Sequence, residues 1–457
     1  MTMQKKFIIF AIVLFLSVAL SAVLFKTPGQ LSRLFPIGGP DHRFPDCNII
    51  LISIDTLRAD HLGCYGYSRG TSPNIDRFLE ECVFFEQHIA NAPRTLPSHA
   101  SIFTSLIPSH HGADDDRPLS EGFLTMAEIL SQNGYRTVSF NDGGYVSEKF
   151  GFGQGFDLYH SFPKTSRGTL KNRVNNAMKW IRENPAGKFF MFLHTYEVHH
   201  PYTPAEDYLA LFDSGYSGGL PPHITRDLLL EINDNELAID ESDKKHIIDT
   251  YDAEIKSMDE SFVVLIDFLK KRELYDNTMI IFTSDHGEEF GEHGMMGWHG
   301  TTLFDEVLHV PLIVKFPDSL FSSTVIGQQV RTIDILPTVL EVCGIPEEKI
   351  FEGQSLIKMV KGKNQRLYAV SEMGGYGKSI RTSAWKYCRV HSTEMLFDLE
   401  ANPEESRNLA SEHPDRKTRL KGLLDSLLIK PYITVPEDKA KLDKETLDQL
   451  RDLGYIR

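Results

Sequence analysis

Between residues 48 and 314 the chain repeats one local pattern: a short apolar run, a cluster of turn-forming residues, then a helical stretch. The runs are Asn48–Ile54 (NIILISI), Thr137–Phe140, Phe189–Leu193, Met279–Phe282 and Val310–Val314. Runs so short and nearly free of polar positions suit strands buried on both faces, as in a mostly parallel sheet covered by helices. The helical patterns include Asn74–Glu81, Leu124–Gln132 and Asp249–Lys271. In the last, Tyr251, Ile255, Met258, Phe262, Leu265, Ile266 and Leu269 share one face. Strands alternating with helices predict an α/β domain. In such sheets ligands gather beyond the carboxyl ends of the strands. Three of the runs lead, at once or within three residues, into Asp55, His194 and the pair Asp285-His286.

This α/β domain is expected over 47–360. From there to residue 430 the β-like pieces LYAVSEM, SIRTSAWKYCRV and EMLFDL precede a polar helix near Asp415–Leu428. That order predicts a small antiparallel sheet with one helix. Residues 431–457 read as a charged, peripheral tail that ends in the helical LDKETLDQLRDLGYIR.

At the other end, Lys5 and Lys6 precede an uncharged, mostly apolar run from Phe7 to Phe25. Nineteen such residues can cross a bilayer core of about 30 Å as a helix. Residues 1–26 are therefore expected to be a transmembrane anchor, and the Pro- and Gly-rich 27–46 a linker. A cleaved signal peptide is the alternative, with Ala19-Leu-Ser-Ala22 as its cleavage site. Either way the lysines stay inside and the rest of the chain becomes extracytoplasmic. A net charge of −15 argues against a nucleic-acid partner. Five scattered cysteines define no disulfide framework.

The stretch Asn91–Gly112, NAPRTLPSHASIFTSLIPSHHG, places Thr95 two residues before a proline and a helix-compatible run over Ser98–Leu106. Thr95 reads as a helix cap, with a hydroxyl and free N–H groups converging where an anion is stabilised. Asp285-His286, within SDHGE after a predicted strand, offers a hard oxygen and an imidazole nitrogen to a divalent metal. Asp55 adds a second carboxylate, and Thr95 could complete the set, since coordination is one way to activate a hydroxyl. His199, in the loop HTYEVHHPY, and His299, thirteen residues beyond His286, could hydrogen-bond a substrate oxygen or protonate a leaving group. Arg58, three residues past Asp55, is counted with them as a substrate-binding cation.

From Asn48 to about Leu428 the chain resembles the sulfatase family of the alkaline phosphatase superfamily. The matching pieces occur in family order: NIILISIDTLRADHLGCYGY, TSPNIDRF, the Thr95 stretch, HTYEVHHPY, YDAEIKSMD, NTMIIFTSDHGEEFGEHG, WHGTTLFDEVLHVPLIV and LFDLEANPEESRNL. The resemblance implies an alkaline-phosphatase-like α/β fold with a large mixed sheet. It implies that Asp55, Asp285 and His286 bind a metal and that Thr95 holds the nucleophile position. It places His199 and His299 against the anionic substrate, with His299 where many sulfatases have a lysine.

Two departures from the family pattern matter. Sulfatases oxidise a Cys or Ser in C/S-x-P-S-R to formylglycine, whereas this chain reads Thr95-Leu-Pro-Ser-His99. The methyl on the threonine β-carbon forbids that aldehyde, and His99 replaces the arginine that steadies the nucleophile. The family's two adjacent Asp ligands are here Asp55-Thr56. The resemblance associates a threonine nucleophile with phosphodiesterases and with phosphoethanolamine and glycerol-phosphate transferases of the superfamily. No D-x-x-x-H arrangement of a second metal stands at the matching place.

The expectation is a membrane-anchored hydrolase of phosphate or sulfate esters, with phosphoesters favoured. It works through a covalent intermediate on Thr95 and one divalent metal on Asp55, Thr95, Asp285 and His286. Zinc or manganese suits this mixed set, with calcium admissible. His199, His299 and His99 are the other catalytic candidates, and the partner is a small anionic ester, lipid headgroup or glycan. A sulfuric ester hydrolase, a phosphotransferase and an inactive anion-binding module are the alternatives.

Overall fold

The computed structural model describes residues 43–162, 169–213, 215–365, 367–429, 440 and 442–453. The anchor segment Phe7–Phe25 lies outside them, and among the described residues no helix is long and apolar enough to cross a membrane.

The predicted apolar runs form the middle of a nine-stranded sheet. In chain order its strands are β1 (Asn48–Ile54), β2 (Val83–Ile89), β3 (Arg136–Asn141), β4 (Leu158–Ser161), β5 (Phe189–Thr195) and β6 (Thr278–Thr283). A hairpin, β7 (Glu289–Phe290) and β8 (Met296–Trp298), stands apart, and β9 (His309–Lys315), β10 (Thr324–Ile326) and β11 (Val330–Arg331) complete the sheet. β1 lies at the centre, parallel to β5 on one side and β6 on the other. β9 runs antiparallel to both β6 and β2, so the sheet is mixed though mostly parallel.

Both faces of the sheet are covered, which is why its strands read as unbroken apolar runs. Ile49 and Leu51 point into one core, with Phe190, Phe192, Met279 and Ile281. Ile50, Ile52 and Ile54 point into the other, with Met191, Leu193, Ile280 and Phe282. The first core is closed by the helices Thr95–Thr104 and Ile335–Cys343. The second is closed by the long helix Glu241–Lys271, whose seven predicted face residues are all buried. That helix starts eight residues before the expected Asp249, where an Asp240–Asp243 capping box opens it. Polar capping residues hide such a first turn from an apolar-periodicity reading. β2 was not expected, because Glu86 and Gln87 interrupt its apolar pattern.

The small C-terminal sheet is an antiparallel meander of β12 (Ala369–Met373), β13 (Gly377–Arg381), β14 (Trp385–Val390) and β15 (Thr393–Asp398). The single piece SIRTSAWKYCRV folds into two strands because the Thr382 hydroxyl organises a turn, accepting from the Ala384 and Trp385 amides. Helix Pro414–Leu427 packs on it through Leu420 and Leu424. The expected peripheral tail contains helix Lys444–Asp452, which instead docks. Leu450 is buried in the main core, and the Gln449 amide donates to the carbonyl of Asp142.

A buried ionic cluster ties the meander to the large domain. Lys386 Nζ lies 2.9 Å from Asp305 Oδ1 and 2.9 Å from Glu405 Oε1, and Arg381 makes a fork to the same aspartate. Removing one partner of such a set leaves an uncompensated buried charge, which costs about 3–5 kcal/mol. Lys386→Ala is expected to lower the unfolding free energy by about that amount, read as a shift of the urea midpoint at unchanged slope. An effect below about 1 kcal/mol would mean the cluster is screened by water.

Candidate active site

The three central strands end on the same side, and each delivers a polar residue there. Asp55 follows β1, with its amide extending the ladder to Thr195 of β5. Ser284-Asp285-His286 follows β6, locked by Ser284 Oγ, which donates to the His286 carbonyl and accepts from the Leu57 amide. The backbone turns sharply after Asp55: Thr56 has φ 55°, a left-handed conformation rare for a β-branched residue and costing on the order of 1–3 kcal/mol. Its hydroxyl donates to the Val198 carbonyl and its own carbonyl accepts from the Tyr251 hydroxyl. Thr56 is therefore used to hold the bend, and its hydroxyl is committed to Val198.

The reading of Thr95 as a cap is corrected by the structure. Arg94 is the N-cap, in extended conformation and without a side-chain cap bond, and Thr95 is the first helical residue. The helix closes at Thr104 because Ser105 is left-handed, at φ 57°. All ten residues of this helix are buried, so it is a core element with its first turn in the site. Freed from capping, the Thr95 hydroxyl donates to Asp55 Oδ2 at 3.3 Å and lies 3.3 Å from His286 Nε2.

Asp55, Asp285 and His286 each present a ligand atom within 4.8 Å of the others, and all three residues are fully buried. His286 Nδ1 donates to the Gly287 carbonyl, which leaves Nε2 with the lone pair turned to this centre. Asp55 Oδ1 and Asp285 Oδ2 accept no hydrogen bond among the described residues. Burial, then the charges of Asp285 and Glu288, push the Asp55 carboxyl well above the usual range. Two buried carboxylate oxygens with no donor, beside an oriented imidazole, fit a divalent cation.

His99, expected to be catalytic, acts on the backbone of the nucleophile rather than on its hydroxyl. Nδ1–H donates to the Thr95 carbonyl at 2.9 Å, and Nε2 lies 3.0 Å from Ser53 Oγ on β1. The ring thus pins the first helical turn to the central strand, 3.5 Å from Asp285 Oδ2. Burial holds His99 below its ordinary range, so it is a neutral positioning residue.

Arg58 is corrected too. Its guanidinium forks onto Asp60, pairs with Glu292 at 2.6 Å and donates to the Glu288 carbonyl. With its donors spent on carboxylates of the protein, Arg58 braces the loop after β6 and is not the substrate-binding cation.

His199 and His299 do come together. Their rings are 4.9 Å apart, and His299 lies 4.5 Å from the His286 ring. The β7–β8 hairpin delivers Glu288 and His299 at adjoining ends, and His299 Nδ1 donates to Glu288 Oε1 at 2.8 Å. Burial lowers both histidines, His299 to about 4 in spite of the Glu288 charge. Burial pushes Glu288 up, but His299 and His200 outweigh it and bring this carboxyl down to about 2.

His194 stood out in the sequence only as a polar residue at a strand end, without an assigned role, and Glu288 and His200 were not expected here. His194 Nε2 sits 3.2 Å from Asp55 Oδ2. Glu288 is fully buried, and His200 is 3% exposed with its ring stacked flat on Trp298. His194 was legible as a histidine at a strand end. Nothing local distinguishes Glu288 from its neighbours Glu289 and Glu292.

Comparison with known proteins agrees with this fold. The Sulfatase family model matches residues 47–345, and a model of the C-terminal region of N-sulphoglucosamine sulphohydrolase matches residues 291–429. The chain is 26% identical over 420 residues to an ulvan-active sulfatase of Formosa agariphila, covering 84% of this chain and 80% of that one. It is 24% identical over 433 residues to a choline-sulfatase of Rhizobium meliloti, covering 80% and 83%. The structure of BT4656 in complex with its substrate D-glucosamine-2-N,6-O-disulfate superposes with a TM-score of 0.70 at 20% identity, covering 83% of this chain and 97% of that one. The phosphonate monoester hydrolase of Agrobacterium radiobacter superposes with a TM-score of 0.69 at 18% identity, covering 83% and 95%.

Proposed function

The chain belongs to the sulfatase family, a family of metal-dependent ester hydrolases, and from that premise we propose that it cleaves phosphate esters through Thr95 as nucleophile. The observation that carries this reading is the place of the Thr95 hydroxyl, buried and within 3.3 Å of both Asp55 Oδ2 and His286 Nε2. A divalent cation held by Asp55, Asp285 and His286, when bound, supplies Lewis-acid stabilisation of negative charge on the ester and on the threonine oxygen.

The residues of the chain do the rest. The hydrogen bond to Asp55 aims Thr95 Oγ1, and His99 holds the turn that carries it. Attack on phosphorus forms the bond to Oγ1 and breaks the bond to the leaving oxygen, which departs as the alcohol with the proton given up by the Thr95 hydroxyl, giving a covalent ester on Thr95. Water, or an acceptor alcohol in a transferase, then releases the threonine. His199 and His299 meet the peripheral ester oxygens on the open side of Thr95. Phosphoesters are preferred because a covalent threonine ester must be released by attack at its central atom. The formylglycine hydrate of other family members expels sulfate by collapsing to the aldehyde, a route the Thr95 methyl closes. The segment Phe7–Phe25 would hold this domain at the outer face of a membrane.

A sulfate ester is the second reading, favoured by relatives named for ulvan and choline sulfate. An assay of 4-nitrophenyl phosphate, bis(4-nitrophenyl) phosphate and 4-nitrophenyl sulfate, with added Zn²⁺, Mn²⁺ or Ca²⁺, separates the two. The expected outcome is a kcat/KM for one of the phosphoesters more than about tenfold above that for the sulfate, or about 1.4 kcal/mol in transition-state binding. The reverse order would establish the sulfatase reading.

A further inference from the structure

β1 and β5 are neighbours in the sheet, and their register sets Ser53 opposite His194. Ser53 holds His99, which steadies the Thr95 backbone, so two buried histidines stand side by side, edge to face, with ring centroids 5.0 Å apart. Tyr196 also meets the His194 ring edge to face, at 4.8 Å. These contacts set the orientation of a side chain that no water reaches.

Its polar contact runs to Asp55. Nε2 lies 3.2 Å from Asp55 Oδ2, the same oxygen that accepts from the Thr95 hydroxyl. Asp55 Oδ1 takes no hydrogen bond among the described residues. The two oxygens are thus divided, Oδ2 held by the protein and Oδ1 left for a cation. A carboxylate only accepts, and burial holds His194 well below its ordinary range, so Nε2 of a neutral ring carries the proton. Nδ1 is then a buried lone pair with no donor among the described residues. An apolar side chain of similar size would avoid that cost, so packing does not account for a histidine here.

We propose that His194 is a positioning residue, whose Nε2–H fixes Asp55 so that Oδ1 faces the cation and Oδ2 aims the Thr95 hydroxyl. Without this bond the carboxylate is free to turn about its own axis, and cation and nucleophile both lose a fixed partner. His99 holds the backbone of the Thr95 turn and His194 holds the acceptor of its hydroxyl, so the nucleophile is fixed from two directions. The inference deepens the proposed ester hydrolysis and rests on its metal centre. Its main readout, cation affinity, does not depend on which ester is cleaved.

The test is the Zn²⁺ dissociation constant of the full-length chain in detergent, measured by competition with a chromophoric chelator. Wild type is compared with His194→Gln, His194→Asn and His194→Phe. A glutamine amide nitrogen reaches the place of Nε2, whereas that of asparagine reaches only the place of Nδ1, so the pair separates loss of the donor from loss of the ring. His194→Asn and His194→Phe are expected to bind Zn²⁺ about 10–100-fold more weakly, and His194→Gln within about threefold of wild type. At saturating Zn²⁺ the kcat of His194→Phe should stay about tenfold below wild type with KM little changed, because the aim of Thr95 Oγ1 counts in the transition state. Wild-type affinity in His194→Phe, or equal losses in the glutamine and asparagine variants, overturns the proposal. Failure of all three variants to fold would make the ring a packing element and overturns it too. A wild type that binds no Zn²⁺ removes the metal centre and this role with it. A preference for the sulfate ester would overturn the phosphoester reading and leave these affinities as expected.

Discussion

Thr95→Ala is expected to lower kcat and kcat/KM together by a factor on the order of 10³ or more, with the metal content unchanged. The two constants should fall together because the Thr95 oxygen forms a bond only as the transition state is approached. The fold should tolerate the change. Thr95 is the first helical residue, makes no cap bond, and has alanine's backbone preference on its side. Thr95→Ser keeps the oxygen and is expected to retain far more activity than the alanine variant. Burst kinetics on an aryl ester would then trap the covalent ester on Thr95, visible as a mass increase on the peptide that contains it. Full metal-dependent turnover by Thr95→Ala on all three aryl substrates would falsify the nucleophile assignment.

The second large effect belongs to Asp285. Asp285→Asn is expected to reduce turnover by more than about 100-fold, an effect that added Zn²⁺ or Mn²⁺ does not reverse. Chelation of the wild type should cause a similar loss that added metal does restore. Stability should move the other way in the metal-free proteins. Burial and the Asp285 charge push the Asp55 carboxyl upward, so in the metal-free wild type keeping both carboxylates ionised in this dry site is costly. Removing one of them should raise the melting temperature of the metal-free chain, while the metal-loaded wild type remains the more stable of the two. A metal-free Asp285→Asn that melts below metal-free wild type would show that this carboxylate serves the fold more than the cation.

The two halves of the site differed in how readable they were. Asp55, Thr95, Asp285 and His286 could be named in advance because each sits at an abrupt change of pattern. Asp55 and Asp285-His286 end apolar runs, and Thr95 opens a helix beside a proline. Arg58 and His99 stand in the same segments and were read with them. Partners from other segments changed both readings: Glu292 and Glu288, 234 and 230 residues from Arg58, claimed the guanidinium, and Ser53, 46 residues from His99, claimed its ring. His200 and Glu288 carry no local mark, and gain meaning only because the β7–β8 hairpin folds back beside the loop after β5.

The sequence by itself determined the α/β class, the central strands and the carboxyl-end position of the site. These follow from apolar periodicity and chain direction, which are local and additive along the chain. It also determined that position 95 bears a hydroxyl with a methyl beside it, which closes the aldehyde route. Only the tertiary structure decided that Thr95 is not a cap, that Arg58 is a brace and that three histidines converge above Glu288. Those outcomes depend on which group reaches a shared donor, acceptor or lone pair first, within about 3 Å. Such competition is settled by packing between distant segments, and no stretch of the chain contains it alone.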